Sequence, residues 1–235
     1  MKRRPRIGLD LDFEHDGKRW VHKLPTAYVD VLIDAGAQPV LIPSGDPRPI
    51  PEILADLDGF LMTGGDDFHP RLLGREAEGL PMTLLTVRRE RFVLSLAQGL
   101  LASELPTMAV CLGFQSINVA SGGQIYLDIP SEHEGAVDHS GGRIHRVDPE
   151  PGGLLDRSWR SESQNLMSHH HQGVRVLGPD LVVEARAEDG IVEAFRAPEH
   201  RFLLACQWHP EVQPGSPGGM PLIQRLVQAA ASTRE

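Results

Sequence analysis

The segment Pro106-Thr-Met-Ala-Val-Cys-Leu-Gly-Phe-Gln115 is an apolar strand run that breaks at Cys111 and passes through Gly113 into helix-compatible sequence. A sharp strand-to-helix turn of this kind places its apex at the carboxyl edge of a sheet strand, which constrains the chain to an α/β architecture. Small residues must flank the turn because strand and helix backbones approach closely, and Ala109 and Gly113 supply them. The turn also lifts the apical side chain above the sheet edge and aims the following N–H groups at whatever binds there. That geometry suits covalent attack on a carbonyl, with Cys111 as the nucleophile.

The flanking sequence agrees. Arg6–Leu11 reads as a first strand, Thr26–Asp34 as a helix ended by Gly36, Gln38–Ile42 as a second strand and Pro51–Leu57 as a short helix. Gly59–Thr63 is a third strand, and Val87–Ser103 has the spacing of a long amphipathic helix. Alternation of this kind predicts a single doubly wound, mostly parallel sheet flanked by helices, with the site at the carboxyl ends of the strands. From Gln124 onward the chain becomes turn-rich with extended pieces such as 142–147 and 181–187, so antiparallel strands are expected in the C-terminal half, closed by a helix over 218–232. No repeat or linker divides the chain, and residues 1–235 are read as one domain.

A nucleophilic cysteine needs a base. Leu203-Leu-Ala-Cys-Gln-Trp-His-Pro-Glu211 is a buried-looking strand that ends in a candidate. Alternate residues of an extended segment share a side, so His209 and Glu211 can face one site together, His209 handling the thiol proton and Glu211 fixing the imidazole tautomer. Cys206 lacks a following glycine turn and is read as a core residue.

A third element is Asp58-Gly-Phe-Leu-Met-Thr-Gly-Gly-Asp-Asp-Phe-His-Pro70, a short strand running into Gly64-Gly65. Paired glycines let backbone N–H groups point into a site, and Gly65 N–H with Leu112 N–H would form an oxyanion hole. An ordinary strand-to-helix turn is the other reading. Asp66, Asp67 and His69 could ligate a metal, but no second ligand cluster at matching spacing supports them. In His169-His170-His171 successive residues of an extended segment point to opposite faces, so at most two would converge. His133, His139 and His145 lie in a glycine-rich connection and read as loop or packing residues. Neither metal nor cofactor is expected.

The chain has 235 residues, 40% of them hydrophobic, enough to fill a sheet core covered on both faces. A net charge of −9 disfavours a nucleic-acid partner. Two cysteines at different kinds of position argue against a disulfide framework and fit a reducing cytoplasm. Met1-Lys-Arg-Arg-Pro-Arg6 resembles a signal n-region, but Asp10, Asp12, Glu14 and Asp16 interrupt any apolar run after it, and no stretch elsewhere reads as a membrane span.

With these blocks in place the sequence resembles the class I glutamine amidotransferase-like hydrolases, which have a flavodoxin-like fold. Within them it is similar to the γ-glutamyl-γ-aminobutyrate hydrolase group, also described as peptidase C26-like. The resemblance rests on Tyr28 with Ala35-Gly36, Pro39 and Pro43, Leu61-Met-Thr-Gly-Gly65, and Cys111-Leu-Gly-Phe-Gln115 with Asn118-Val-Ala-Ser-Gly-Gly123 and Asp128-Ile129. It continues through Ser168-His-His-His-Gln172, Gly178-Pro179, Glu184-Ala-Arg186 and 189–194 to Gln207-Trp-His-Pro-Glu211. It implies substrate contacts from Gly64, Gln115, Ser168, His170 and Gln172, and a possible homodimer. Leu112 stands where this branch often carries arginine, Met167 replaces a usual asparagine, and the usual acidic and proline residues before the long helix are reduced to Arg89-Glu90.

The resemblance and the residues together imply that Cys111 attacks the γ-glutamyl amide of a small zwitterionic substrate, giving a γ-glutamyl thioester that water hydrolyses. Two alternatives are a glutaminase subunit that delivers ammonia to a synthetase and a catalytically silent binding module.

Overall fold

A computed structural model of the chain describes residues 3–76 and 79–232. The first two residues of the n-region-like start and the last three of the expected domain lie outside them. In chain order the N-terminal half comprises β1 (Arg6–Asp10), β2 (Asp12–His15), β3 (Trp20–Lys23), α1 (Thr26–Asp34), β4 (Gln38–Ile42), α2 (Ile50–Ala55), β5 (Gly59–Met62), α3 (Val87–Leu101), β6 (Thr107–Val110) and α4 (Leu112–Ala120). The rest comprises β7 (Gln124–Tyr126), α5 (Ile129–Glu132), β8 (Arg143–Pro149), α6 (Leu154–Trp159), β9 (Gln164–Ser168), β10 (Gly173–Val176), β11 (Val182–Ala187), β12 (Val192–Arg196), β13 (Leu203–Cys206) and α7 (Met220–Ala231).

The main sheet runs β4-β1-β5-β6-β13-β12-β11-β8-β9, with β10 joining β12 to β7. Its first five strands are parallel, and every pairing from β13 outward is antiparallel. This is the doubly wound, mostly parallel sheet with an antiparallel C-terminal half that the sequence predicts. The central strands β5, β6 and β13 are buried throughout, as strands covered on both faces must be. One face packs Ile7, Leu9, Leu61, Met108 and Val110 against α1 and α7; the other packs Phe60, Met62 and Ala109 against α2, α3 and α4.

Local chemistry sets the element ends. Thr86 caps α3 by accepting from the Arg89 N–H at 3.3 Å, and Phe92, Val93, Leu96, Ala97 and Leu100 form its buried stripe. Phe114 of α4 stacks on Phe195 of β12, ring centroids 4.6 Å apart, which ties the nucleophile helix to the antiparallel half. The β2–β3 hairpin was not visible in the sequence; its acidic residues read only as an interruption. It forms because Phe13 stacks on Trp20 at 4.9 Å and lies under the Arg88 guanidinium. No described helix is long and apolar enough to cross a membrane.

Candidate active site

The site lies at the carboxyl ends of the parallel strands, where β5, β6 and β13 lie side by side. Cys111 follows β6 with φ 50° and ψ −104°, a backbone conformation costly for any residue with a Cβ and held here by two hydrogen bonds. Its N–H donates to the Cys206 carbonyl at 2.9 Å, and its carbonyl accepts from the Gln115 N–H at 3.0 Å in the first turn of α4. Gly113 is required by close approach: an added Cβ would lie 2.6 Å from Met62 Cβ. The cysteine therefore caps the positive end of a nine-residue helix.

His209 and Glu211 lie beside this cysteine, in a turn after β13 ends at Cys206 rather than on an extended strand end. His209 Nδ1 stands 2.6 Å from Glu211 Oε1, and a Cβ at Gly64 would lie against both the His209 ring and Cys111 Cβ, so the ring and the thiol border the same space. Burial lowers the His209 pKa, but Cys111 first and Glu211 second outweigh it and raise the value to about 10. The imidazole is thus held protonated between a sulfur and a carboxylate. Cys206 is fully buried, and burial, together with nearby negative charge, pushes its thiol well above the ordinary value.

Gly64-Gly65 passes directly beside the pair. A Cβ at Gly64 would lie 2.9 Å from His209 Cε1, 3.0 Å from Tyr28 Oη and 3.5 Å from Cys111 Cβ. Gly64 N–H donates to Tyr28 Oη at 2.9 Å, and Gly113 N–H to the Thr63 carbonyl at 3.2 Å. Gly65 and Leu112, the two expected oxyanion donors, alternate with these committed groups, and a Cβ on Gly65 would touch the Leu112 side chain at 2.7 Å. Behind the loop, Thr63 N–H donates to Asp10 Oδ1 at 2.9 Å, and Arg89 lies 2.6 Å from Asp10 and 3.2 Å from Thr63 Oγ1. Glu90 accepts from the His69 N–H at 2.8 Å. Arg89-Glu90, a departure from the family pattern in sequence, anchors the glycine loop from α3.

Three of these residues were not singled out as site residues in the sequence: Tyr28, Asp10 and Arg89. Their signal was weak, since each reads as an element residue until the sheet brings it to the glycine loop.

The expected substrate contacts are placed differently. Ser168 is fully buried with its hydroxyl 2.5 Å from His145 Nε2; His170 and Gln172 are also buried, Gln172 accepting from the Phe68 N–H at 3.0 Å. Gln115 donates to the Gln172 carbonyl and to Gln207 Oε1, each at 3.1 Å. The residue of that run facing the site is the exposed His169, whose ring lies edge-on to His209 with centroids 6.0 Å apart. Pairing of β9 with β8 fixes this phase, and alternation sends Ser168 and His170 to the opposite side. His171 bridges Asp67 and Asp128 at 3.0 Å each, and these two carboxylates raise its pKa, Asp67 most, to about 9. Asp67 is thereby drawn to His171 and His69 Nδ1 accepts from the Arg71 N–H, while Asp66 lies near Asp12 and Glu14 instead.

A strained cysteine at a strand-to-helix turn, an imidazole backed by a carboxylate, and a doubly wound sheet together define the class I glutamine amidotransferase fold. The fold matches the glutaminase domain of Trypanosoma brucei CTPS, solved with bound acivicin, with a TM-score of 0.65 at 15% identity over 98% of this chain and 95% of that one. The Peptidase C26 profile matches residues 7–211, and the chain belongs to that family. It is 32% identical to the γ-glutamyl-γ-aminobutyrate hydrolase PuuD of Escherichia coli K12, over 80% of this chain and 78% of PuuD. It is 27% identical to the glutamine amidotransferase-like protein RP404 of Rickettsia prowazekii, over 98% of this chain and 99% of that one.

Proposed function

We propose that the protein is a cysteine-dependent hydrolase of γ-glutamyl amide bonds in small γ-glutamyl amines. The observation that carries this reading is Cys111 at a positive-φ helix cap, beside an imidazole that Glu211 holds at 2.6 Å. Relatives named as γ-glutamyl-γ-aminobutyrate hydrolases support the substrate class.

The Cys111 sulfur attacks the γ-carbonyl carbon, and the carbonyl oxygen, now an oxyanion, accepts hydrogen bonds from the Gly65 and Leu112 N–H groups. As the C–N bond breaks, His209 gives its proton to the departing amine. Water then attacks the γ-glutamyl thioester, with His209 taking one of its protons, and the C–S bond breaks to release glutamate and return the thiolate–imidazolium pair. Glu211 keeps the imidazole in the tautomer and orientation that both half-reactions use. Gly64 lines the substrate path because any side chain there would occupy the space between Cys111 and His209. His169 makes the substrate contact expected of its run, while Ser168, His170, Gln172 and Gln115 hold the wall behind it.

The glycine loop is pinned on both sides, by Tyr28 at Gly64 and by Asp10 and Arg89 at Thr63, which favours an oxyanion hole formed without a partner. The experiment is turnover by the isolated protein on a panel of γ-glutamyl amines with free glutamine included. At least one γ-glutamyl amine should exceed glutamine in kcat/KM. Glutamine as the best substrate, or activity appearing only with a second protein, would instead assign an ammonia-delivering glutaminase.

A further inference from the structure

On the far side of β12 from its pairing with β13, four buried side chains from distant parts of the chain converge: His139, His145, His170 and Glu193, with one donor atom of each within 4.8 Å of all the others. His139 Nδ1 lies 3.3 Å from Glu193 Oε1, and His170 Nε2 lies 3.4 Å from the same oxygen. Both nitrogens, and both oxygens of Glu193, are buried without a hydrogen-bond partner. Buried polar atoms are ordinarily paired, so four orphans on three side chains at one point mark a place where an ion can sit.

The separations indicate what kind. They are longer than the 2.7–3.2 Å typical of an N–H···O hydrogen bond. A tetrahedron built from metal–ligand bonds of about 2.0–2.1 Å has edges of about 3.3–3.4 Å. The remote ring nitrogens are tied down in the manner that orients metal-bound imidazoles: His139 Nε2 to Asp189 Oδ2 at 2.8 Å, and His170 Nδ1 to the Gln172 carbonyl at 2.9 Å. The buried carboxylates Glu193 and Asp189 supply negative charge suited to a divalent cation, with the imidazoles binding as neutral ligands.

We infer that His139, His170 and Glu193, completed by His145, form a buried structural site for one divalent first-row transition metal ion of the zinc class. Three nitrogens and one carboxylate oxygen are a donor set that such ions favour over magnesium or calcium. His145 Nε2 now lies against Ser168 Oγ and turns from it to become the fourth ligand. The ion joins β8, β12, the connection after α5 and the run that carries His169. Because the Glu193 carbonyl accepts from the Gln207 N–H at 2.8 Å, it also stiffens the strand leading to His209. With four protein ligands it leaves no open position, and it takes no part in the reaction. The inference is independent of the hydrolase assignment.

The test uses untagged full-length protein and Cys111→Ala, in which the catalytic thiol cannot bind the ion. After dialysis against Zn2+ and then metal-free buffer, both should retain about one equivalent by elemental analysis, with four ligands leaving it slow to dissociate. Co2+ should give visible four-coordinate bands with no sulfur charge-transfer band. A chelator should lower the thermal midpoint, and Zn2+ should restore it. Glu193→Gln and His170→Asn should lose the ion; if either does not fold, the wild-type and Cys111→Ala measurements decide. Metal-free Cys111→Ala, a cobalt–sulfur band, an unchanged thermal midpoint on chelation, or full retention by a folded Glu193→Gln would overturn the assignment and leave shared protons as what joins the cluster.

Discussion

The Tyr28 hydroxyl accepts a 2.9 Å hydrogen bond from the Gly64 N–H, so a residue of α1 fixes the backbone of the glycine loop after β5. The same oxygen stands 3.4 Å from His209 Nδ1. Burial, and then the Glu211 charge, push its pKa well above the ordinary value, so it stays a neutral hydroxyl beside the His209–Glu211 pair. Tyr28→Phe keeps the ring and removes these bonds. Loss of a hydrogen bond involving a charged group is worth about 1.5–3 kcal/mol, so kcat/KM should fall roughly ten- to a hundredfold. Steady-state kinetics beside a thermal melt check this; wild-type kcat/KM in a folded variant would remove Tyr28 from the site.

The two adjacent glycines should not tolerate change equally. A methyl group at Gly64 meets the His209 ring and Tyr28, which are held by hydrogen bonds, whereas one at Gly65 meets the movable end of Leu112. A displacement of about 1 Å at reacting atoms can cost about a hundredfold. Gly64→Ala should therefore lose at least about a hundredfold in kcat, and Gly65→Ala should lose less. Equal losses would show that crowding of His209 is not what restricts position 64.

Arg89 and Asp10 form a fully buried ion pair with a 2.6 Å contact. Removing one partner strands the other, at a cost of about 3–5 kcal/mol, or a fall in Tm of roughly 6–20 °C for a chain of this size. Arg89→Met should show that loss in a thermal melt. Combining it with Asp10→Asn should recover part of the loss, because the introduced amide is uncharged and keeps an acceptor for the Thr63 N–H. A double variant no more stable than Arg89→Met would mean that packing, not charge, dominates the site.

The parts of the fold that were legible in the sequence are those with local causes. Apolar runs at strand length and the Cys111-Leu112-Gly113 turn need no distant partner to be recognised, and the helix and strand ends inferred from them fall within two residues of those observed. His209 and Glu211 are neighbours as expected, but not by strand alternation: β13 ends at Cys206, and the two lie in a turn closed by the Val212 N–H to the His209 carbonyl at 3.1 Å, which the sequence did not reveal. Residues whose roles depend on register were not legible either. Ser168, His169 and His170 differ only in which face they take, and the pairing of β9 with β8 decides that. Tyr28, Asp10 and Arg89 reach the glycine loop only through the stacking of α1, β1 and α3 around β5. His139, His145, His170 and Glu193 were read separately as loop, packing or substrate residues because the antiparallel half brings them together across more than fifty positions of sequence.

The His209 proton gives a pH signature. Cys111 and Glu211 raise its pKa to about 10, so the protonated ring persists through neutral pH and is lost as pH rises through that value. Its contribution to stability has the same sign, present in full below the ordinary value of 6.5 and lost on rising through about 10. The alkaline limb of kcat/KM should lie near pH 10 and move to lower pH in Glu211→Gln, where one of the groups holding the proton becomes neutral. A limb that does not move would mean that Glu211 only packs against the ring.

The central claim is that Cys111 and no other group forms the covalent bond. Cys206 offers a direct internal control, being fully buried with its thiol pKa pushed well above the ordinary value. The measurement is peptide mapping by mass spectrometry after treatment with an electrophilic glutamine analogue, run beside His209→Ala. The account predicts a single adduct on the peptide containing Cys111, slowed strongly in His209→Ala, with Cys206 unmodified. Predominant labelling of Cys206, or full hydrolytic activity in Cys111→Ala, would contradict it.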